Sequence, residues 1–161
     1  MARIAVVSDI HGNLTAFEAV LADLRLTAPD LIFHGGDLAD GGSSPVEIVD
    51  RIRELGWPGV MGNTDEMLFR PASFTIMPPI QEMAAWTRER LGEERLAWLR
   101  GFPLQQDHGE IGLVHASPES CWRSPVPTAS DEELETVFAP LGKAVVAYGH
   151  VHHPFVRRVG G

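Results

Sequence analysis

The sequence predicts an α/β fold built on a mostly parallel sheet, and three observations carry that prediction. Five short apolar runs, rich in Val and Ile and bounded by Gly or Pro, read as buried strands: IAVVSD, LIFHGGD, PGVMGN, IGLVH and AVVAYGH. The first three alternate with stretches of helical period, a β-α-β-α-β order that implies right-handed crossovers. Each run ends in a residue suited to holding a metal: Asp9, Asp37, Asn63, His115 and His150, with His11 and His152 two residues after the first and the last. Ligands in open α/β sheets bind where strands finish, so oxygen and nitrogen donors converge on one sheet edge.

The elements follow in order. Residues 3–8 form the first strand. Asn13 caps a helix whose apolar face is Leu14, Phe17, Val20, Leu21 and Leu24, and Pro29 stops it. A second strand runs to Phe33, and Gly41-Gly42 mark a loop. Ser44-Pro45-Val46-Glu47 reads as a capping box with Pro at the first helical position, followed by the buried stripe Ile48, Val49, Ile52 and Leu55. Gly56 ends this helix before a short strand to Met61. Residues 66–78 read as a loop and 79–100 as one or two helices broken near Gly92. A strand pair over 102–115 turns through Asp107-His108-Gly109, and the Pro- and Ser-rich stretch 116–128 is a long loop. Ser130 and Glu133 form a second capping box ahead of Leu134, Val137 and Phe138. Strands near 144–148 and 154–159 close the chain.

The 161 residues, 1–161, are expected to form one domain, and a hydrophobic content of 44% is ordinary for a globular chain. A net charge of −9 gives no general attraction for nucleic acid, so no nucleic-acid partner is expected. The single cysteine, Cys121, rules out an internal disulfide framework. The N-terminus enters a strand-like run with no secretory pattern, and no apolar stretch reaches the roughly 18 residues of a membrane span. A cytoplasmic protein with no membrane partner is the expectation.

Side chains alternate along extended backbone, so Asp9-x-His11 and His150-x-His152 are each expected to present both donors on one side. Seven donors are too many for one catalytic zinc, which takes three plus water. They suit two ions sharing a carboxylate, and Asp37 has two oxygens with which to bridge; such ions sit roughly 3.5–4 Å apart. Two divalent ions, less the charges of Asp9, Asp37 and a bridging hydroxide, leave about one net positive charge for a phosphate oxygen. Imidazole and carboxylate donors without thiolate suit manganese, iron, zinc or nickel, with manganese the first choice for assay. Any one of these residues alone would be read as a turn or cap; their coincidence points to metal. The other candidates have plainer readings. His34 is a loop residue or a support outside the ligand set, and His108 lies in a solvated turn. His153 is on the surface beside the site. Trp86, Trp98 and Trp122 are packing residues, and Cys121 is a loop residue. Arg157 and Arg158 are a solvated strand end.

Five segments, Asp9-x-His11-Gly12-Asn13, Gly36-Asp37, Gly62-Asn63-x-Asp65, His115 and Gly149-His150-x-His152, resemble in order the signature blocks of the calcineurin-like metallophosphoesterases. They are most similar to the small bacterial phosphodiesterases often named after diadenosine tetraphosphatase. The resemblance implies a four-layer α/β/β/α sandwich with a dimetal site at the strand ends. It implies one metal on Asp9, His11, Asp37 and His152, the other on Asp37, Asn63, His115 and His150, and a bridging hydroxide that attacks phosphorus in line. Asp37, Asn63, Asp65 and His150 are the implied catalytic residues, and a small phosphate ester or nucleotide is the implied substrate. The alternatives are a non-catalytic protein-binding scaffold of the same fold, in which ligands would be eroded, and a nuclease of the same superfamily, against which the acidic surface argues.

The sequence departs from the family in two places. Thr64 stands where many members carry a histidine, and a neutral hydroxyl is a poor general acid; phosphodiesters, anhydrides and activated esters are therefore expected over phosphoproteins. The chain also stops nine residues after His152, where relatives add strands. The expectation is a second sheet left incomplete at the C-terminus, with an open edge at 154–159 that a homodimer would cover.

Overall fold

The computed structural model describes residues 2–70 and 77–160. Strands β1 (Ile4–Val7) and β2 (Leu31–His34) pair in parallel, with Ile4 opposite Leu31 and Val7 opposite His34. The crossover is helix α1 (Leu14–Thr27), whose free N-terminal amides are capped where Asn13 Oδ1 accepts from the Ala16 N–H at 3.1 Å. Phe17 and Leu21 are buried, but Val20 is 38% exposed, so the apolar stripe is narrower than expected. Helix α2 (Pro45–Leu55) buries Ile48, Val49 and Ile52 and ends at Gly56, φ 64°. Its expected capping box is not formed: Ser44 makes no side-chain cap bond, and Pro45 occupies the first turn.

The strand expected up to Met61 is reduced to one parallel bridge between His34 and Gly59. Pro58 has no N–H to offer the ladder, and the Met61 N–H donates instead to Pro103 O at 2.8 Å. Helix α3 (Asn63–Met67) then starts at Asn63, so the first two residues of the expected 66–78 loop are helical. Part of that loop, 71–76, lies outside the described residues. Helix α4 (Pro78–Arg100) is interrupted at Gly92, φ 66° and ψ 170°, where the break was expected.

Strands β3 (Gln105–His108) and β4 (Ile111–Val114) form the antiparallel hairpin, one residue out from the expected turn because His108 is paired with Ile111. Strand β5 (Val145–Ala147) joins β4 in parallel, giving the order β3-β4-β5. Between them lies helix α5 (Asp131–Phe138), capped by Ser130 Oγ accepting from the Glu133 N–H at 3.1 Å.

The strand expected at 154–159 is not formed. Phe155 stands edge-on to Tyr148, with ring centroids 5.8 Å apart. The Arg157 guanidinium donates to the carbonyls of Ala129 and Pro127. These contacts hold the tail against the loop before α5 and away from the sheet, so Arg157 is not a solvated strand end. The sheet edge on this side is β5, and a dimer through 154–159 has no strand to use.

Two apolar clusters result. Phe17, Leu21, Leu38, Ile48, Ile52, Leu68, Leu91 and Leu99 pack helices α1, α2 and α4 together, with Trp98 and Trp122 against them. Phe33, Val60 and Leu113, with Ile4, Leu31 and Ala147, join strands of both sheets. The fold is thus mixed α/β with apolar side chains shared between two small sheets. Among the described residues no helix is long and apolar enough to cross a membrane.

Candidate metal centre

The seven side chains gather in one connected cluster, which the backbone amide of His150 closes. Asp9 Oδ1 lies 3.1 Å from His152 Nε2, which lies 3.3 Å from His11 Nε2. Asp37 Oδ2 stands between His11 Nε2 at 3.6 Å and His115 Nε2 at 3.5 Å. Asn63 Oδ1 is 2.9 Å from both His115 Nε2 and His150 Nδ1. The His150 N–H returns to the Asp9 carboxylate at 3.2 Å. Each residue comes from just beyond a strand or bridge, as the sequence implied.

The backbone at these positions is not the extended chain that was expected. Asp9 (φ 57°), His11 (49°), Asp37 (54°), His150 (67°) and His152 (49°) all occupy the left-handed region. That region holds only a few per cent of non-glycine residues. The chain turns sharply as it leaves each strand, and this turn, rather than period-2 alternation, points the paired donors inward. Sparsely populated backbone costs of order 1–3 kcal/mol per residue and persists only when surrounding contacts fix it. Glycines allow those contacts. A side chain at Gly62 would run into the Asp37 amide and carboxylate, and one at Gly149 into Ser8 and Asp9.

Hydrogen bonds fix the tautomers. His11 Nδ1 lies 2.7 Å from Asp40 O, and His115 Nδ1 lies 2.7 Å from Gly35 O. A carbonyl only accepts, so each Nδ1 carries its proton and each Nε2 turns a lone pair inward. There the lone pairs meet Asp37 Oδ2, Asn63 Oδ1 and His152. Lone pairs facing lone pairs repel unless a proton or cation sits between them. Burial disfavours a charged His115, yet its hydrogen bond to Asp37 and that carboxylate's charge push its pKa up to about 9. Burial likewise opposes ionisation of Asp37, but hydrogen bonding and charge from His115, then the charge of His11, hold it below the usual carboxylate range. Burial and the charge of His115 lower His150. The field at the centre therefore favours positive charge, and the donor set fits divalent transition ions. Two triads, Asp9–His11–His152 and Asp9–Asp37–His115, each gather their ligand atoms within 4.8 Å of one another. Asp9 reaches both, as Asp37 was expected to.

Asp65, expected among the catalytic residues, lies behind Asp37 in the interior. It is fully buried, and its oxygens accept the N–H groups of Asp37 (2.8 Å), Leu38 (2.9 Å) and Gly62 (3.3 Å). Burial and the charge of Asp37 raise its pKa to about 6. It holds the Asp37 turn and does not face the cleft. Thr64 donates its N–H to Asp37 Oδ1 at 2.9 Å, and its hydroxyl is buried without a partner among the described residues.

Sequence reasoning missed two supports. Ser8 Oγ donates to Asp9 Oδ2 at 2.5 Å, and Asp40, three residues after Asp37, supplies the carbonyl that orients His11. A polar side chain beside each ligand was the only signal available. His34 is not a loop residue; it ends β2, 0% exposed, edge-on to Phe102 at 4.4 Å. Trp122 donates to Glu66 at 2.6 Å, and Cys121 is buried against the same carboxylate, which fastens the loop after His115 to α3. An open cleft bordered by Asp9, His11, Asn13, Gly42, Ser43 and His152 gives access from solvent.

Comparison with known proteins agrees with this architecture. A family model described as calcineurin-like phosphoesterase matches residues 2–154. An uncharacterised protein of Methanocaldococcus jannaschii is 32% identical over 98% of this chain and 65% of its own length. A symmetrical bis(5'-nucleosyl)-tetraphosphatase of Methylococcus capsulatus is 31% identical over 84% of this chain and 50% of its own length. The crystal structure of a metallophosphoesterase from Sphaerobacter thermophilus superposes with a TM-score of 0.78 at 30% identity, covering 95% of this chain and 62% of that one. The chain thus spans one half to two thirds of the length of these relatives. With a match running from residue 2 to residue 154, the chain belongs to the calcineurin-like phosphoesterase family.

Proposed function

We propose that this chain forms the centre of a hydrolase that cleaves phosphodiester, nucleotide or activated phosphate ester bonds with two divalent transition-metal ions. The observation that carries this reading is Asp37 Oδ2, which stands between the inward-facing Nε2 atoms of His11 and His115 at 3.6 and 3.5 Å. One ion is assigned to Asp9, His11, Asp37 and His152, the other to Asp37, Asn63, His115 and His150, with Asp37 common to both. Metal ions in such a site polarise a phosphoryl oxygen and make water a competent nucleophile near neutral pH. The protein's own residues do the rest. Asp65 fixes the Asp37 turn through three backbone amides, and the carbonyls of Asp40 and Gly35 hold the His11 and His115 tautomers. His150, half-buried with its Nδ1 2.9 Å from Asn63 Oδ1, would serve substrate as well as metal. The two sheets would form the inner layers of a four-layer sandwich, consistent with their shared apolar cluster.

No imidazole donor stands at Thr64, so leaving groups that need little protonation are favoured. The tetraphosphatase name of one relative makes nucleotide anhydrides the first substrates to try. The test is metal content of protein purified without chelator, followed by assay with manganese on a dinucleoside polyphosphate, a bis-aryl diester and a serine phosphate. Two ions per chain and turnover of the first two substrates are expected. Metal-independent turnover, or serine phosphate as the best substrate, would contradict the reading.

A further inference from the structure

We propose that Thr87 of α4, acting through Asp40, is a positioning residue for His11. Thr87 is 0% exposed on the buried face of α4 that also carries Ala84 and Leu91. A hydroxyl on such a face needs a partner, because a buried polar group left unpaired is costly. Its partner is Asp40: Thr87 Oγ1 donates to Asp40 Oδ1 at 2.6 Å. Asp40 is itself 1% exposed, and its other oxygen has no hydrogen-bond partner among the described residues. The carboxylate is therefore fastened through this one bond to α4.

What is fastened matters, because the backbone carbonyl of Asp40 accepts from His11 Nδ1 at 2.7 Å. The next residue, Gly41, turns at φ 118° with its α-carbon against the imidazole; a Cβ there would lie 3.2 Å from His11 Cβ and Nδ1. His11 is thus fixed at Nδ1 by the Asp40 carbonyl, with Gly41 leaving room beside it where a side chain would crowd the ring. Asp40 and Gly41 belong to the irregular stretch between β2 and α2, which Asp65 holds at Asp37 and Leu38 and Thr87 holds at Asp40. The line runs from helix α4 through Asp40 to His11 Nδ1, and leaves Nε2 aimed at Asp37 and His152. Outer partners that set the tautomer and ring angle of a ligating histidine typically carry about 10–100-fold in metal affinity. That consequence rests on the function proposed above; the orientation of His11 does not.

The experiment has two readouts. Long-range ¹H–¹⁵N correlation spectra of the metal-free chain report the His11 tautomer, and manganese titration reports affinity. The wild-type chain should show His11 protonated at Nδ1. Thr87→Val keeps the shape and removes the donor. It should mix the two tautomers and weaken one of two manganese ions about 10–100-fold, whereas Thr87→Ser should keep both properties. A folded Thr87→Val chain with the wild-type tautomer, or a Thr87→Ser chain that behaves like Thr87→Val, overturns the proposal. Should Thr87→Val fail to fold, Asp40→Asn decides. It keeps an acceptor for Thr87 and should keep the Nδ1 tautomer; losing it would overturn the proposal. A chain that binds no manganese but loses the tautomer only in Thr87→Val supports the positioning role and contradicts the metal reading alone.

Discussion

The two halves of the centre carry similar donor chemistry on different supports. Asp37, Asn63 and His115 are held from the interior: a turn whose amides Asp65 accepts, the first residue of α3, and the residue after β4. The side chains of His115 and Asp37 are 0% and 3% exposed. Asp9, His11 and His152 sit on turns at the mouth of the cleft, and the His11 and His152 side chains are 25% and 55% exposed. His152 lies beyond the last strand, in a tail fastened by Tyr148–Phe155 and Arg157. A ligand already held in place gives up less conformational freedom on binding than one that must be ordered. The buried half should therefore hold its ion more tightly than the open half.

Asp37→Asn should have the largest effect, because it removes the charge common to both halves while leaving their shape. Charge stabilisation by metal ions lowers a phosphoryl-transfer barrier by several kcal/mol, so weakening both ions at once should lower turnover with manganese by at least about 10²-fold. Near-normal turnover would show that the halves do not depend on a common carboxylate.

Acid should strain the buried side through His34, which ends β2 three residues before Asp37. Burial lowers its pKa from 6.5 to about 4, and neither ring nitrogen has a partner among the described residues. The unfolded chain takes up this proton first. The contribution is therefore present above pH 6.5 and is lost as pH falls toward 4, amounting to about 3 kcal/mol. His34 ring resonances that stay fixed down to pH 5, with stability falling over the same window, would bear this out. A His34 that titrates near 6.5 would not.

Thr64→His should place a proton donor beside the buried half. Alkyl phosphate hydrolysis should rise by about 10²-fold, the lower end of general acid catalysis, and nitrophenyl ester hydrolysis by much less. Equal changes for the two substrates would remove residue 64 from the leaving-group side. The smallest effect belongs to the open half. His152→Ala should weaken one ion and leave the second bound at wild-type affinity, as read by manganese titration. Simultaneous loss of both ions would abolish the distinction between the halves.

The parts of this molecule that the sequence made legible are those set by local pattern. Helical period gave α1 and α2, Gly92 gave the break in α4, and the strand-end positions pointed to side chains that the structure gathers together. Contacts distant in sequence stayed hidden. The Met61 amide pairs with Pro103 rather than with β2, which shortens the third strand to a bridge. Arg157 is drawn to the carbonyls of 127 and 129, which removes the last strand. The left-handed turns at Asp9, His11, Asp37, His150 and His152 were hidden too, because nothing in a single Asp or His distinguishes a turn from an extended strand end. Asp65 was identified as a residue that matters, but its three amide partners, which decide what it does, lie up to 28 positions away.

The decisive experiment is titration of the metal-free chain with manganese, followed by calorimetry and by electron paramagnetic resonance. Two ions per chain are expected, bound in two steps of unequal affinity, with spin coupling between them once the second is bound. A single ion per chain, or two ions with no coupling, would contradict a centre organised around Asp37.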